Sequence, residues 1–179
     1  MKMEKNSVKN LCYMAMMTVL ICICSWISIP FVIPFTLQTF AVFFALFLLG
    51  GKNGTVSIIL YLLMGMIGLP VFSGFCGGIG HLLGPTGGYI VGFVLTGVTY
   101  TLLESSMEKH KTSVPFVLGL SLFSCYLSGT LWFVIMYSFQ DNSMGVLNVL
   151  SICVLPYIIP DCIKIILAVY FHSKIKDKI

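Results

Sequence analysis

Long tracts without a charged side chain dominate this sequence and limit what it can fold into. Charged residues are missing from residues 10–51, 53–103 and 112–140. A helix that crosses the hydrocarbon core of a bilayer needs about 20 apolar residues. The first two tracts can therefore hold two spans each, the third holds one, and residues 147–172 hold a sixth. We expect an all-α integral membrane protein with six transmembrane helices, in a single membrane domain over residues 1–179.

The lysines predict the orientation of these spans. Nine of the ten lysines lie in four polar segments, which alternate with connections that contain no lysine, and the chain has no arginine. Loops beside membrane spans keep their positive charge on the cytoplasmic side. Both termini and the loops at Lys52 and Lys109–Lys111 are therefore expected in the cytoplasm. The formal net charge of +4 then reflects topology and attraction to the lipid bilayer, not nucleic-acid binding.

Prolines and glycines predict where the spans begin and end. Pro30 and Pro34 are too close to lie within one regular helix, so the first span stops there. The next two spans are short and are separated at Gly50 in the manner of a glycine C-cap. Pro156 and Pro160 interrupt the last span. The six spans are predicted at residues 8–29, 35–49, 55–69, 87–103, 114–139 and 147–171.

Two charges, Asp161 and Lys164, lie inside the last span. At positions i and i+3 they share a helix face, and one charge deep in a membrane helix costs about 2.5–3.5 kcal/mol. They form either a structural ion pair or part of a binding or transport site. Lys164 would suit a ligand carboxylate. Asp161 could hold Lys164 charged, or accept hydrogen bonds from the N–H groups of an amide or a urea.

A short polar segment, Pro34-Phe-Thr-Leu-Gln-Thr39, opens the second span on the outer side of the membrane. Thr36 can cap a helix. Alternatively, Thr36 and Gln38 supply hydroxyl and amide groups to the wall or lid of a site.

A second outer segment is rich in glycine. Residues 74–88 contain seven glycines, and the run ends in Gly84-Pro-Thr-Gly87-Gly-Tyr89. Glycine lets the backbone approach a ligand closely, although a flexible loop and close helix packing are equally good reasons for it. Cys76 and His81 lie in this loop without a second pair of metal ligands, so no metal site is predicted.

Several motifs are missing. Gly51-Lys52 is not part of a phosphate-binding loop, because no glycine precedes it at the required spacing. The sequence has neither a zinc-protease motif nor a nucleophile elbow. We therefore predict that the chain is not an enzyme, and that other subunits hydrolyse ATP if solute movement requires it.

Three segments in this order resemble the BioY family: Pro34 to Thr39, Gly84 to Tyr89, and Pro160-Asp161-x-x-Lys164. The resemblance covers about residues 10–172. Members of this family are the substrate-binding (S) components of energy-coupling-factor transporters for biotin. The resemblance implies a six-helix protein that binds biotin, its transported ligand, from outside and has no cofactor.

The resemblance also implies partners and site residues. The partners are a transmembrane coupling protein and two cytoplasmic ABC ATPases. Such binders often carry small residues four apart on the first helix for docking the coupling protein, but here Ala15 is followed at that spacing by Val19. The implied ligand-binding residues are Asp161, Lys164, Tyr89 and Gln38, with Thr36, Gly84 and Gly87 in the same motifs.

A different class of function remains open from the residues alone. An ion-coupled secondary carrier or channel for a small carboxylate could use Asp161 and Lys164 to relay protons. A membrane enzyme is a weaker hypothesis, because the sequence contains no evident pair of nucleophile and base.

Overall fold

Long apolar helices make up most of the structure, a computed structural model that describes residues 8–31, 33–109, 114–138 and 146–176. The helices are α1 Val8–Trp26, α2 Gln38–Met66, α3 Ile79–Leu82, α4 Gly87–Lys109, α5 Val114–Ser138, α6 Val146–Cys153 and α7 Leu155–Lys176. A small antiparallel ribbon joins β1 Ser28–Ile29 to β2 Phe35–Thr36. Five stretches of the described residues are helical, long and apolar enough to cross a membrane: Val8–Trp26, Gln38–Met66, Gly87–Met107, Val114–Ser138 and Asn148–Ile175.

The second of these stretches reverses direction in its middle and so crosses twice. Gly50 has φ +78° and ψ 164°, outside the helical region. A Cβ on Gly54 would lie 2.8 Å from Leu46 Cα, whereas eight residues along a straight helix span about 12 Å. The two halves of α2 are therefore an antiparallel pair. This gives the six predicted crossings, with the break at the predicted glycine.

The turn at Gly50 is held from α4. The carboxylate of Glu104 accepts a hydrogen bond of 3.0 Å from the N–H of Gly51, the first residue of the second half of α2. An anion is favourable there because the unpaired N–H groups at a helix N-terminus carry partial positive charge. A Cβ on Gly51 would lie 2.7 Å from Thr101 Cα, so glycine is what allows α4 to approach this closely.

The lysine-bearing ends of the helices gather at one end of the bundle. Ser57 donates a hydrogen bond to the Met14 carbonyl at 3.2 Å, and His172 stacks on Phe47. With the Glu104 contact, these interactions bring together the start of α1, the turn of α2 and the ends of α4 and α7. Because positive loops mark the cytoplasmic face, this is the cytoplasmic end. The lysines within residues 1–7, 110–113 and 177–179, Lys111 of the predicted cytoplasmic loop among them, lie outside the described residues.

Near the first outer connection, the helix boundaries differ slightly from the prediction. The helix α1 ends at Trp26, not near Ile29, because the residue before Pro30 favours an extended conformation and joins β1. The second span begins at Gln38, not at Phe35, which lies in β2.

The last span is interrupted as predicted, but at another residue. The helix breaks at Val154, and Pro156 follows within the first turn of α7, where a missing N–H costs little. Pro160 lies inside α7 without ending it. Its missing N–H leaves the carbonyl of Pro156 without the usual helical donor.

The helix α2 lies at the centre of the bundle. It packs against α1, α4 and α7, and α4 packs against α5. In the most apolar 18-residue segment of α2, 61% of the residues are buried, against 33–39% in the matching segments of the other four stretches. The fully buried side chains of this core include Ile21, Val42, Leu46, Ile58 and Phe72. A second, smaller cluster lies around the outer ends of α4 to α7 and includes Tyr89, Cys125, Phe133, Cys153 and Tyr157.

Candidate functional site

A cavity opens at the outer end of the bundle, opposite the lysine-bearing end. The deeper walls are apolar and aromatic, with Ile90, Phe93 and Leu122 among them. Hydroxyl and amide side chains lie along its outer walls: Thr36, Gln38, Thr39, Ser73 and Thr86.

Asp161 and Lys164 form the ion pair that their spacing predicts. Lys164 Nζ lies 2.8 Å from Asp161 Oδ1, and each residue is only 5% exposed. Asp161 lines the cavity, whereas Lys164 is not part of its wall. The Lys164 ammonium also sits 4.0 Å from the centroid of the Phe35 ring, a favourable contact between a cation and the electron-rich ring face. Both charges are thus compensated, and only the carboxylate side of the pair borders the cavity.

Two tyrosines complete the wall around this pair. Tyr126 Oη donates a 2.6 Å hydrogen bond to Asp161 Oδ2. The hydroxyl of Tyr157 donates to the Ile33 carbonyl, and its ring stacks on Phe35 with the centroids 5.8 Å apart. Sequence reasoning missed both tyrosines, because isolated tyrosines in apolar helices carry no motif.

Gln38 and Thr36 enter the cavity wall from the outer ribbon. Thr36 Oγ1 accepts a 3.3 Å hydrogen bond from the Gln38 N–H and lines the cavity. The N-cap of α2 is Leu37, which makes no side-chain capping bond, so Thr36 is not the helix cap. Gln38 is 5% exposed, and its amide nitrogen has no hydrogen-bond partner among the described residues. An unpaired buried donor costs about 1–3 kcal/mol. This nitrogen and the Tyr61 hydroxyl are both buried without a hydrogen-bond partner among the described residues.

Of the glycine-rich segment, the cavity walls contain Tyr89 but neither Gly84 nor Gly87. Tyr89 Oη lies 3.4 Å from Thr130 Oγ1, and a Cβ on Gly129 would overlap the Tyr89 ring. A glycine of α5 thus makes room for this side chain.

The two glycines shape the loop instead of lining the cavity. The Gly84 carbonyl accepts a 3.0 Å hydrogen bond from Trp132 Nε1 of α5, and a Cβ on Gly87 would overlap the Leu82 carbonyl. They hold the loop against the bundle, and their predicted contact with a ligand stays a prediction.

The outer loop offers no cluster of metal ligands. Within the described residues, no three His, Cys, Asp or Glu side chains come together in a group that could hold a metal ion. Cys76 is exposed. His81 stacks on Phe72 with the ring centroids 5.4 Å apart, and burial lowers the pKa of its imidazole.

These features define a class: a multi-pass membrane protein with a small-molecule site that opens at its outer face. Residues 1–179 match the family model of the BioY family, and the chain belongs to this family.

Curated relatives and a solved structure agree with this assignment. The "Biotin transporter BioY" of Thermotoga maritima is 37% identical over 161 residues, covering 89% of this chain and 90% of the relative. The "Biotin transporter BioY2" of Lactococcus lactis subsp. cremoris is 32% identical over 173 residues, covering 94% and 91%. The crystal structure of the S-component for biotin from an ECF-type ABC transporter matches with a TM-score of 0.80 and 33% identity, covering 95% of this chain and 92% of that one.

Proposed function

We propose that this chain is the biotin-binding S component of an ATP-driven energy-coupling-factor importer, with the outer cavity as its biotin site. The observation that carries the proposal is a buried, internally compensated ion pair at the wall of a mostly apolar cavity. Biotin offers an apolar bicyclic body, a urea and a carboxylate, which suits a cavity with few polar groups.

The ion pair favours one orientation of the vitamin. Because Asp161 and Lys164 already neutralise each other at 2.8 Å, the pair presents the Asp161 acceptor to the cavity without net charge. The N–H donors of a urea complement this acceptor. A carboxylate would be repelled by Asp161, which is the charge that borders the cavity. We infer that the urea end lies at the pair.

The carboxylate end then points toward the outer walls. Thr36, Thr39, Ser73 and Thr86 offer hydroxyl groups there, and Gln38 offers its unpaired amide nitrogen. Neutral donors can supply the hydrogen bonds that a carboxylate needs when it is also partly open to water. This arrangement uses Gln38, Thr36, Asp161 and Lys164 as ligand-binding residues, with Tyr89 in the wall.

The energy source lies in other subunits. The sequence has no phosphate-binding loop, so we infer that a transmembrane coupling protein and two cytoplasmic ABC ATPases drive release of the vitamin. Ala15 and Val19 are both exposed on α1, and a face with at least one small residue allows close helix approach.

Titration of the purified protein with biotin, biotin amide and a biotin methylated on both urea nitrogens tests the site. Biotin should bind without ATP, the amide should bind more weakly by a modest factor, and loss of the urea N–H groups should abolish most of the affinity. If methylation of the urea is harmless and blocking of the carboxylate is not, the orientation is reversed. If none of the three compounds binds, biotin is not the ligand.

The ion-coupled carrier is the alternative that the buried charges allow. In proteoliposomes, a chain that works as an S component binds biotin but does not concentrate it in response to a proton gradient. Concentrative uptake by the chain alone under a proton gradient would favour the carrier. Each oxygen of Asp161 already has a fixed partner, Lys164 on Oδ1 and Tyr126 on Oδ2, which supports a fixed site over a proton relay.

A further inference from the structure

Asp161 is held from two directions by two different helices. Its Oδ1 accepts the Lys164 ammonium from the same helix, α7, and its Oδ2 accepts the Tyr126 hydroxyl from α5 at 2.6 Å. With one partner on each oxygen, the carboxylate cannot rotate about its Cβ–Cγ bond without breaking a hydrogen bond. Its remaining acceptor directions are therefore fixed relative to the cavity.

The tyrosine that fixes the carboxylate is itself well anchored. The Tyr126 ring is partly buried and packs against both the large core around α2 and the smaller cluster at the outer ends of the helices. The helices α5 and α7 are not among the pairs that pack closely along their length. The hydrogen bond from Tyr126 to Asp161 therefore bridges a gap between two walls of the cavity.

We propose that Tyr126 is a positioning residue of the biotin site, which sets the orientation of the Asp161 carboxylate toward the urea of the ligand. This inference rests on the proposed function. Without the hydroxyl, Asp161 can turn both oxygens toward the Lys164 ammonium, which is only 2.8 Å away. The acceptor presented to the ligand is then weaker and wrongly aimed, although the ion pair survives.

Tyr126→Phe tests this role with little change in shape. We expect biotin affinity to fall by at least about fivefold, because the acceptor that the hydroxyl orients is a charged one. The fold loss of affinity should be equal for biotin and biotin amide, which share the urea. It should be much smaller for the biotin that is methylated on both urea nitrogens. A purely structural role would weaken all three ligands by the same factor, and that outcome would overturn the proposal.

A double-mutant cycle separates positioning from direct contact with the ligand. If Tyr126 acts through Asp161, adding Tyr126→Phe to Asp161→Asn should change affinity less than about twofold. Additive losses would mean that the hydroxyl touches the ligand itself and would refute the positioning role. Melting temperatures measured in detergent show whether each variant is folded, and the ligand series on Tyr126→Phe decides the matter even if Asp161→Asn does not fold.

Tyr137→Phe is the matched control. Tyr137 lies eleven residues further along α5, on the same helix face, and stacks on Phe133 outside the cavity walls. The variant Tyr137→Phe removes a hydroxyl from the same helix without touching Asp161. Its biotin affinity should match that of the wild type. An equal loss of affinity in Tyr137→Phe and Tyr126→Phe would refute the positioning role of Tyr126. Wild-type binding of biotin in the same series tests the proposed function separately.

Discussion

Lys164→Ala is expected to weaken biotin binding strongly while the protein still inserts into the membrane. The ammonium is buried, lies 2.8 Å from Asp161 Oδ1 and sits 4.0 Å from the Phe35 ring. The substitution deletes the charged hydrogen-bond donor that neutralises and orients Asp161, the acceptor at the cavity wall. Such a bond contributes about 1.5–3 kcal/mol, and 1.4 kcal/mol is a factor of ten, so the affinity should fall about 10- to 150-fold.

Stability has to be separated from binding in this experiment. Removing one partner of a buried ion pair costs about 3–5 kcal/mol, because the other charge is left uncompensated. Here Tyr126 still donates to Asp161, so the lower end of that range is expected. The double variant Asp161→Asn/Lys164→Gln carries no buried charge. It should regain much of the lost stability without regaining affinity.

Calorimetric titration and thermal melting of the purified proteins give both quantities. Lys174→Ala is the control, because Lys174 lies on the same helix but is exposed near the cytoplasmic end. It should leave affinity and melting temperature unchanged. If Lys164→Ala bound biotin within twofold of the wild type, the ion pair would be purely structural and the reasoning would fail.

Further predictions concern the topology, the docking face on α1, the turn at Gly50 and the outer loop. A single cysteine at Asn53 in a Cys-free protein should not react with an impermeant reagent in intact cells, since it follows the cytoplasmic turn; labelling there would refute the orientation. Ala15→Trp should leave biotin binding intact but block uptake, because bulk prevents close helix approach, and persistent uptake would place the docking face elsewhere. Gly51→Val should lower stability by about 1–3 kcal/mol through overlap with Thr101, measured by thermal melting. His81 has a pKa lowered by burial, so the stability of the folded protein should decline as pH falls below about 6.5, the ordinary histidine pKa; an unchanged decline in His81→Phe would contradict this.

The fold was largely predictable because charge and backbone chemistry act locally in a membrane. The uncharged tracts and the alternating lysines predict six crossings, and Gly50 marks the reversal that the structure contains. The ribbon of β1 and β2 was not predicted. Its strands are two residues long, and their pairing depends on how the outer connection folds back over the bundle, which no local pattern records.

The site was predictable only where the sequence carries a motif or an isolated charge. Asp161 and Lys164 stand out because charges in an apolar helix are costly, and Gln38 stands out in a polar segment that opens a span. Tyr126 and Tyr157 have no such contrast with their neighbours. Their roles depend on the distance across the cavity, which only the packed structure determines.

The ion pair also has an electrical consequence. Moving one elementary charge through the membrane potential involves about 2.3 kcal/mol per 100 mV. The charges of Asp161 and Lys164 sum to zero. Movement of the site through the membrane potential therefore involves no net electrical work, however the occupied cavity gains access to the cytoplasm. For the vitamin proposed here, the electrical work of import is set by its single carboxylate, which enters a compartment of negative potential. That work is independent of the residues that hold the ligand.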